Sequence, residues 1–208
     1  MTSMRPDDIN VAGLLLAAGQ SSRVAGGFHK LLAEFDGIPL VRRSASTLLE
    51  SKLSRVVAVT GHRGHEVEAA LRGLPVITLN NPDFAKGLGT SIASGFRHQG
   101  LFDCDGVLIM LADMPIIEAK HIDQLLLAFT SSDGQVVVRG AHGSMPGHPV
   151  IIPRTLFGAM QTLGDEDGGK MAIKRSGLDT RLVDIGSAAR CDVDTAQAIV
   201  SAGGLLRM

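Results

Sequence analysis

Hydrophobic residues in this chain follow two rhythms, and the alternation between them predicts a fold class. Short continuous apolar runs occupy Val11–Ala18, Arg55–Thr60, Pro75–Leu79, Gly106–Ala112 and Gln135–Arg139, each bounded by Gly, Pro, Asp or Asn. Runs of this length without polar alternation read as buried strands. Between them lie Pro39–Ser51, Arg63–Leu71, Gly89–His98 and Ala119–Thr130, where apolar positions recur near every 3.6 residues and predict helices, the first with Pro39 near its N-terminus. A strand–helix–strand order with crossovers this long predicts an α/β fold in three layers, a mainly parallel sheet with helices on both faces. After about residue 140 the rhythm loosens: a strand at Val150–Ile152, helices at Arg154–Leu163 and Gly169–Ser176, a strand at Arg181–Ile185 and a last helix at Thr195–Ala202. No repeat, low-complexity linker or charge block divides the 208 residues, so one domain is expected over 1–208, with 1–10 a flexible polar lead-in.

Composition narrows the partners. Twenty Lys+Arg against 21 Asp+Glu leave a net charge of -1, which gives no global attraction to nucleic acid or to an anionic membrane. Any anion must therefore be bound locally. The first apolar run has eight residues, against about 20 needed to span a bilayer, and it lacks a signal-peptide pattern. Cys104 and Cys191 make neither a disulfide scaffold nor a zinc pair, so a reducing cytoplasm is the expected location. His62 and His65 have a chelating spacing without a third ligand. With no Trp or Tyr and seven Phe, the core must be aliphatic.

Parallel α/β sheets bind ligands beyond the carboxyl ends of their strands, which says where to look for chemistry. After the first strand, Leu16-Ala17-Ala18-Gly19 runs into a small-residue loop with Arg23 and Lys30. Such a loop offers backbone N–H groups and two cations to a polyphosphate, and reads equally as an ordinary glycine-rich turn with solvated charges. Neither the Walker pattern nor Gly-x-Gly-x-x-Gly occurs there. After the fourth strand, Asp113 ends an apolar run, where an unpaired buried carboxylate is costly; it is a candidate magnesium ligand or a cap of the following turn. Asp192 and Asp194 share one face of an extended segment, and either is a further metal ligand, while Asp194 or Thr195 is also placed to cap the last helix. Thr60, Gly61 and His62 follow the second strand. Asn81, Gly87 and Ser91 follow the third, where they open a helix towards a base, ribose or phosphate or simply cap it. His148, in Gly147-His148-Pro149, reads as a loop residue able to touch an acceptor.

Taken in order, these tracts resemble one family over nearly the whole chain: the molybdenum-cofactor nucleotidyltransferases, or MobA-like NTP transferases, and in particular the cytidylyltransferase branch that acts on molybdopterin. The matching residues are Leu16–Gly19 with Ser22-Arg23 and Lys30-Leu31-Leu32, Gly37–Val41, Val59–His62, Asn81-Pro82, Gly87 with Ser91 and Gly95, Leu111–Pro115, Gly147–Val150 and Asp192–Thr195. The resemblance implies a Rossmann-like, glycosyltransferase-A-like sheet binding a nucleoside triphosphate with Mg²⁺. It implies that Leu16, Ala17, Ala18, Gly19, Arg23 and Lys30 hold the triphosphate. Thr60, Gly61, His62, Asn81, Gly87 and Ser91 line the nucleoside, and Asp113 holds the metal with Asp192 or Asp194. His148 and Asp192 are then expected at the acceptor. The implied reaction moves CMP from CTP to a phosphorylated acceptor, molybdopterin, and releases pyrophosphate, for eventual use by a molybdoenzyme. Val24-Ala25 replaces the customary Met-Gly, and Gly164–Lys170 departs from the usual Gly-Asp-x-Gly-Ala-Arg. Sequences similar to this family include nicotine blue oxidoreductases acting with NAD(P)H, so a redox enzyme on the same fold is one alternative, and a non-catalytic cofactor-delivery chaperone is another.

Overall fold

A computed structural model describes residues 9–21, 27–164 and 169–206. In chain order its regular elements are β1 (Val11–Ala17), β2 (Glu34–Phe35), β3 (Ile38–Pro39), α1 (Leu40–Leu49), β4 (Val56–Thr60), α2 (Gly64–Leu71), β5 (Val76–Asn80) and α3 (Leu88–Phe96). They continue as β6 (Gly106–Leu111), α4 (Ala119–Thr130), β7 (Val137–His142), β8 (Met145–Pro153), α5 (Phe157–Gln161), α6 (Lys170–Ser176), β9 (Thr180–Asp184), α7 (Ala196–Ser201) and β10 (Gly204–Leu205).

Seven strands form the central sheet in the order β5-β4-β1-β6-β8-β7-β9. β1 lies between β4 and β6, parallel to both, and β5 continues the parallel half beyond β4. All seven residues of β1 are buried, as expected of a strand covered on both faces. Alternation along the strands sorts the core into two clusters. Leu15, Ala17, Ala58, Leu108 and Met110 face α1, α2 and α4, meeting Val41, Leu48, Val67, Leu125 and Phe129. Leu14, Leu16, Val59, Val107 and Ile109 face α3 and α5, meeting Ile92, Phe96 and Met160. The chain is thus a Rossmann-like α/β sandwich with an aliphatic centre, as its sequence pattern predicts. No helix among the described residues is long and apolar enough to cross a membrane.

Two features depart from the sequence reading. β8 is nine residues long and runs antiparallel between β6 and β7, the one reversed strand of the sheet. A two-residue connection, Gly143-Ser144, joins β7 to β8, with Gly143 at φ 58°, the left-handed conformation that hairpin turns of this length require. His148 therefore lies within a strand and not in a loop. Pro146 and Pro149 disguise that strand in the sequence, because proline cannot donate to a ladder. The register between β7 and β8 shifts between Arg139 and Ala141, so Pro149 falls at the irregularity where a missing donor does least harm. The second departure is a three-stranded sheet, β10-β2-β3, whose two-residue strands leave no period to read. It packs Phe35, Leu40, Val193 and Ile199 into a third cluster, which carries the acidic segment before α7 to the end of β6.

Candidate active site

Beyond the ends of β1 and β6 lies an open cleft of about 540 Å³ lined by Leu16, Ala18, Gly19, Lys30, Gly87, Ser91 and Asp113, together with Gln20, Leu31, Phe84, Ala85, Leu88 and Leu111. Strand parity selects these residues. Leu16 and Ala18, like Leu111, belong to the α3 side of the sheet, and Asp113 follows Leu111 by one period. Ala17 points the other way into the opposite cluster and does not line the cleft.

Three carboxylates converge at the mouth. The Val193 N–H donates to the Asp113 carbonyl at 3.0 Å, and Val193 is fully packed beneath, which sets Asp192 and Asp194 on either side of Asp113. One oxygen from each carboxylate lies within 4.8 Å of the other two. Lys30 donates to both Asp113 (2.5 Å) and Asp194 (2.7 Å). The open question of the last helix's cap is settled in favour of Thr195, whose hydroxyl accepts the Ala198 N–H at 3.1 Å. Asp194 is thereby left to the cleft.

Among the described residues, the Lys30 ammonium is shared by Asp113 and Asp194, with Asp192 beside them. Burial pushes the Asp113 carboxyl above its usual range, against the pull of Lys30, and the neighbouring Asp192 and Asp194 push it the same way. Burial opposes the charge on Lys30, yet Asp113 and Asp194 together outweigh it and hold the ammonium above its ordinary value. The Asp113 Oδ1 atom is buried without a hydrogen-bond partner among the described residues. A carboxylate oxygen buried in this way calls for a cation or donor, and an all-oxygen donor set of this kind suits a hard divalent ion such as Mg²⁺ or Mn²⁺.

The remaining expected residues build the walls. Thr60 is buried and donates its hydroxyl to Glu68 at 2.8 Å. At Gly61 an added Cβ would lie 2.6 Å from the Phe84 Cβ and 2.9 Å from that of Ala18, so only glycine lets the Phe84 ring close this side. His62 stacks on His29 with centroids 5.6 Å apart and packs against Phe84. His29 is itself held neutral, its pKa lowered to about 4 chiefly by burial. Asn81 donates to Thr90 and Ser91, each at 3.0 Å, and accepts the Asp83 N–H. It fastens the start of α3 and does not reach the cleft surface. Arg23 and its neighbours Ser22, Val24 and Ala25 lie outside the described residues, as does 165–168. His148 lines a different cavity, beside Arg139. Phe84 and Arg139 had no signal in the sequence: one is an aromatic after a strand end, the other a cation inside a strand.

Comparison with known proteins bears on family and fold. The MobA-like NTP transferase domain model matches residues 13–181. The nicotine blue oxidoreductase of Paenarthrobacter nicotinovorans is 28% identical over 199 residues, 90% of this chain and 93% of that protein. The purine catabolism protein PucB of Bacillus subtilis is 29% identical over 173 residues, 80% and 82% of the two chains. The bifunctional protein GlmU of Sphingopyxis alaskensis is 30% identical over 129 residues, 62% of this chain, which spans only 28% of that protein's length. In fold, a nucleotidyl transferase from Methanothermobacter thermautotroptrophicus superposes with a TM-score of 0.78 at 22% identity, covering 93% of this chain and 96% of that one. With the family model spanning residues 13–181, the chain belongs to the MobA-like NTP transferase family.

Proposed function

We propose that the protein transfers a nucleotidyl group, CMP from CTP, to a phosphorylated pterin-type acceptor and releases pyrophosphate. The observation that carries the reading is the convergence of Asp113, Asp192, Asp194 and Lys30 at the rim of a glycine-edged cleft. Asp113, Asp192 and Asp194 are the residues that would hold Mg²⁺, which when bound supplies positive charge against the α-phosphate and the incoming phosphate. A manganese complex is known of Rv0371c from Mycobacterium tuberculosis, whose fold this chain shares with a TM-score of 0.72 at 19% identity over 93% and 98% of the chains.

The acceptor's terminal phosphate carries about −1.5 to −2 charge at pH 7, so its oxygen attacks the α-phosphorus without a general base. The bond between that phosphorus and the oxygen bridging to the β-phosphate breaks, and pyrophosphate leaves with the electron pair. Catalysis then rests on alignment and charge neutralisation. Gly19 brings backbone close to the triphosphate. Lys30 exchanges part of its contact with the carboxylates for the departing phosphate oxygens, and Arg23 is placed by the same reading on the triphosphate. Ser91 and Gly87 border the nucleoside, with Thr60, Gly61, His62 and Asn81 supporting that wall from behind.

A second reading is favoured by one observation, the relative named a nicotine blue oxidoreductase that aligns over 93% of its length. It expects NAD(P)H consumption that needs no divalent ion. One experiment separates the two: incubate the protein with Mg²⁺ and CTP, GTP or NADH, with and without a phosphorylated pterin, following pyrophosphate and nicotinamide absorbance. The proposal expects pyrophosphate release that requires metal and acceptor and is fastest with CTP. NADH oxidation without pyrophosphate would replace it with the redox reading.

A further inference from the structure

Next to the cleft, on the same side of the sheet, a smaller cavity is lined by Arg139 and His148 within apolar walls that include Ile109, Ile152, Met160 and Ile173. Two of its polar side chains, Arg139 and His148, are incompletely satisfied. Arg139 donates from Nε to the Gly147 carbonyl at 2.7 Å, and among the described residues no carboxylate pairs with it. Burial, together with nearby Arg190, pulls its pKa down. The Nδ1 atom of His148 is buried with no hydrogen-bond partner among the described residues. The ring bonds the Ile109 backbone, a contact that favours the protonated ring and is therefore to the carbonyl. Nε2 thus carries the hydrogen, and Nδ1 is a lone-pair acceptor in a ring that burial keeps neutral, its pKa lowered to about 4.

An unmatched donor and an unmatched acceptor side by side define the complementary ligand group. We propose that the Arg139–His148 cavity recognises a lactam edge, a ring carbonyl flanked by a ring N–H, on a flat and otherwise apolar molecule. The guanidinium donates to the carbonyl, His148 Nδ1 accepts from the N–H, and the isoleucine and methionine side chains cover the ring faces. A carboxylate would satisfy Arg139 but set its second oxygen against the Nδ1 lone pair. A cation would meet Arg139 and Lys170, which also lines the cavity. The volume of about 40 Å³, where one water needs about 10–15 Å³ on that measure, takes only the edge of a ring, so the body of the ligand extends outwards. Its direction follows from shared walls. Ile92 of the cavity follows Ser91 of the cleft on α3, and Ile109 of the cavity precedes Leu111 of the cleft by one strand period on β6. From Ile109 the strand runs through Leu111 into the turn that carries Asp113, so the ligand body points towards the carboxylates, with the lactam at one end and a phosphate at the other. This deepens the proposed transfer by naming what recognises the acceptor's far end.

The test reads binding alone, without nucleotide or metal, so it stands or falls separately from transfer. Pterin, which carries the lactam and no phosphate, is titrated by its own fluorescence into the full chain. 3-Methylpterin, in which the ring N–H is blocked, is the matched control, and benzoate is the competitor. Saturable pterin binding is expected, weakened at least about tenfold by the methyl group and by Arg139→Ala or His148→Phe, a loss of about 1.4 kcal/mol, with partial recovery in His148→Gln, which restores an acceptor. Equal affinity for 3-methylpterin, displacement of pterin by benzoate at comparable concentration, or no saturable binding would each overturn the proposal. The ligand-side comparison needs no substitution and holds even if a variant fails to fold. Lost pterin binding alongside intact pyrophosphate release would remove the subsite and leave the transfer reading standing.

Discussion

Lys30 and Asp113 are 12% and 13% exposed in their side chains, so their pairing is worth more than a surface ion pair but leaves each heavily dependent on the other. Removing the ammonium takes away the cation that Asp113 and Asp194 share from three carboxylates within 4.8 Å of one another. Lys30→Met is therefore expected to lower the melting temperature sharply, by a few kcal/mol of stability, and to be rescued by millimolar Mg²⁺ or Mn²⁺ far more than the wild type is. A thermal-shift series against metal concentration checks this, and equal shifts in both proteins would contradict a carboxylate site in which ammonium and cation compete. In activity, Lys30→Ala should lower kcat about a hundredfold or more, since leaving-group charge grows in the transition state, and steady-state kinetics showing a change in KM alone would argue against that role. His148 gives a pH prediction with a definite sign. Its folded pKa, about 4, lies below the unfolded value of about 6.5, so the unfolded state binds the proton first. Its contribution is neutral above pH 6.5, falls as pH drops towards 4 and levels off below, a loss on the order of 3 kcal/mol. Denaturation of wild type and His148→Gln across that window should show a flatter slope for the variant. At this scale the sequence announced Asp113 through its place at the end of an apolar run. It could not announce that Lys30 bonds Asp194, a partner 164 positions away, because that contact exists only once the third core cluster has closed.

The elements are legible where a buried strand or a half-buried helix leaves a period, and lost where it does not. β1, β4, β5 and β6 fall within a residue or two of the apolar runs, and α1 begins directly after Pro39, its N-cap. The Val150–Ile152 end of β8 is legible while its first half is obscured by Pro146 and Pro149, and β2, β3 and β10 are too short to show alternation. The caps carry function as well as stability. Thr195→Ala removes the side-chain bond that starts α7, at a cost of about 1 kcal/mol, or roughly 2–4 °C in a chain of this size. It should also weaken metal binding by loosening Asp194. Asn81→Ala removes two hydrogen bonds that tie the end of β5 to the start of α3 and a third that closes the turn at Asp83, and is expected to cost about 2–3 kcal/mol at roughly 1 kcal/mol each. Because Asn81 lies behind the wall, its loss should raise KM for the nucleotide through displacement of Ser91 while leaving the metal affinity intact. Equilibrium unfolding and metal titration on the same sample separate the two effects.

At the scale of the whole molecule, a sheet buried on both faces fixes where chemistry can occur, and that much follows from alternating apolar runs and crossover lengths alone. Parity along β1 and β6 then decides which side chains reach the cleft: Leu16 and Asp113 do, Ala17 does not. The small β10-β2-β3 sheet, absent from any sequence pattern, is what brings the C-terminal acidic segment back to the centre. Leu14, fully buried on β1, packs against α3 on the cleft's side of the sheet. Leu14→Ala should cost about 2–5 kcal/mol, with the cleft residues otherwise unchanged, as chemical denaturation and activity below the midpoint would show. The central claim is that Asp113, Asp192 and Asp194 form one divalent-cation site. Electron paramagnetic resonance of Mn²⁺ titrated into the purified chain tests it most directly, through loss of the free-ion signal. Binding of one strongly held ion per chain is expected, abolished in Asp113→Asn and tightened by CTP. Unchanged Mn²⁺ affinity in Asp113→Asn would contradict the account.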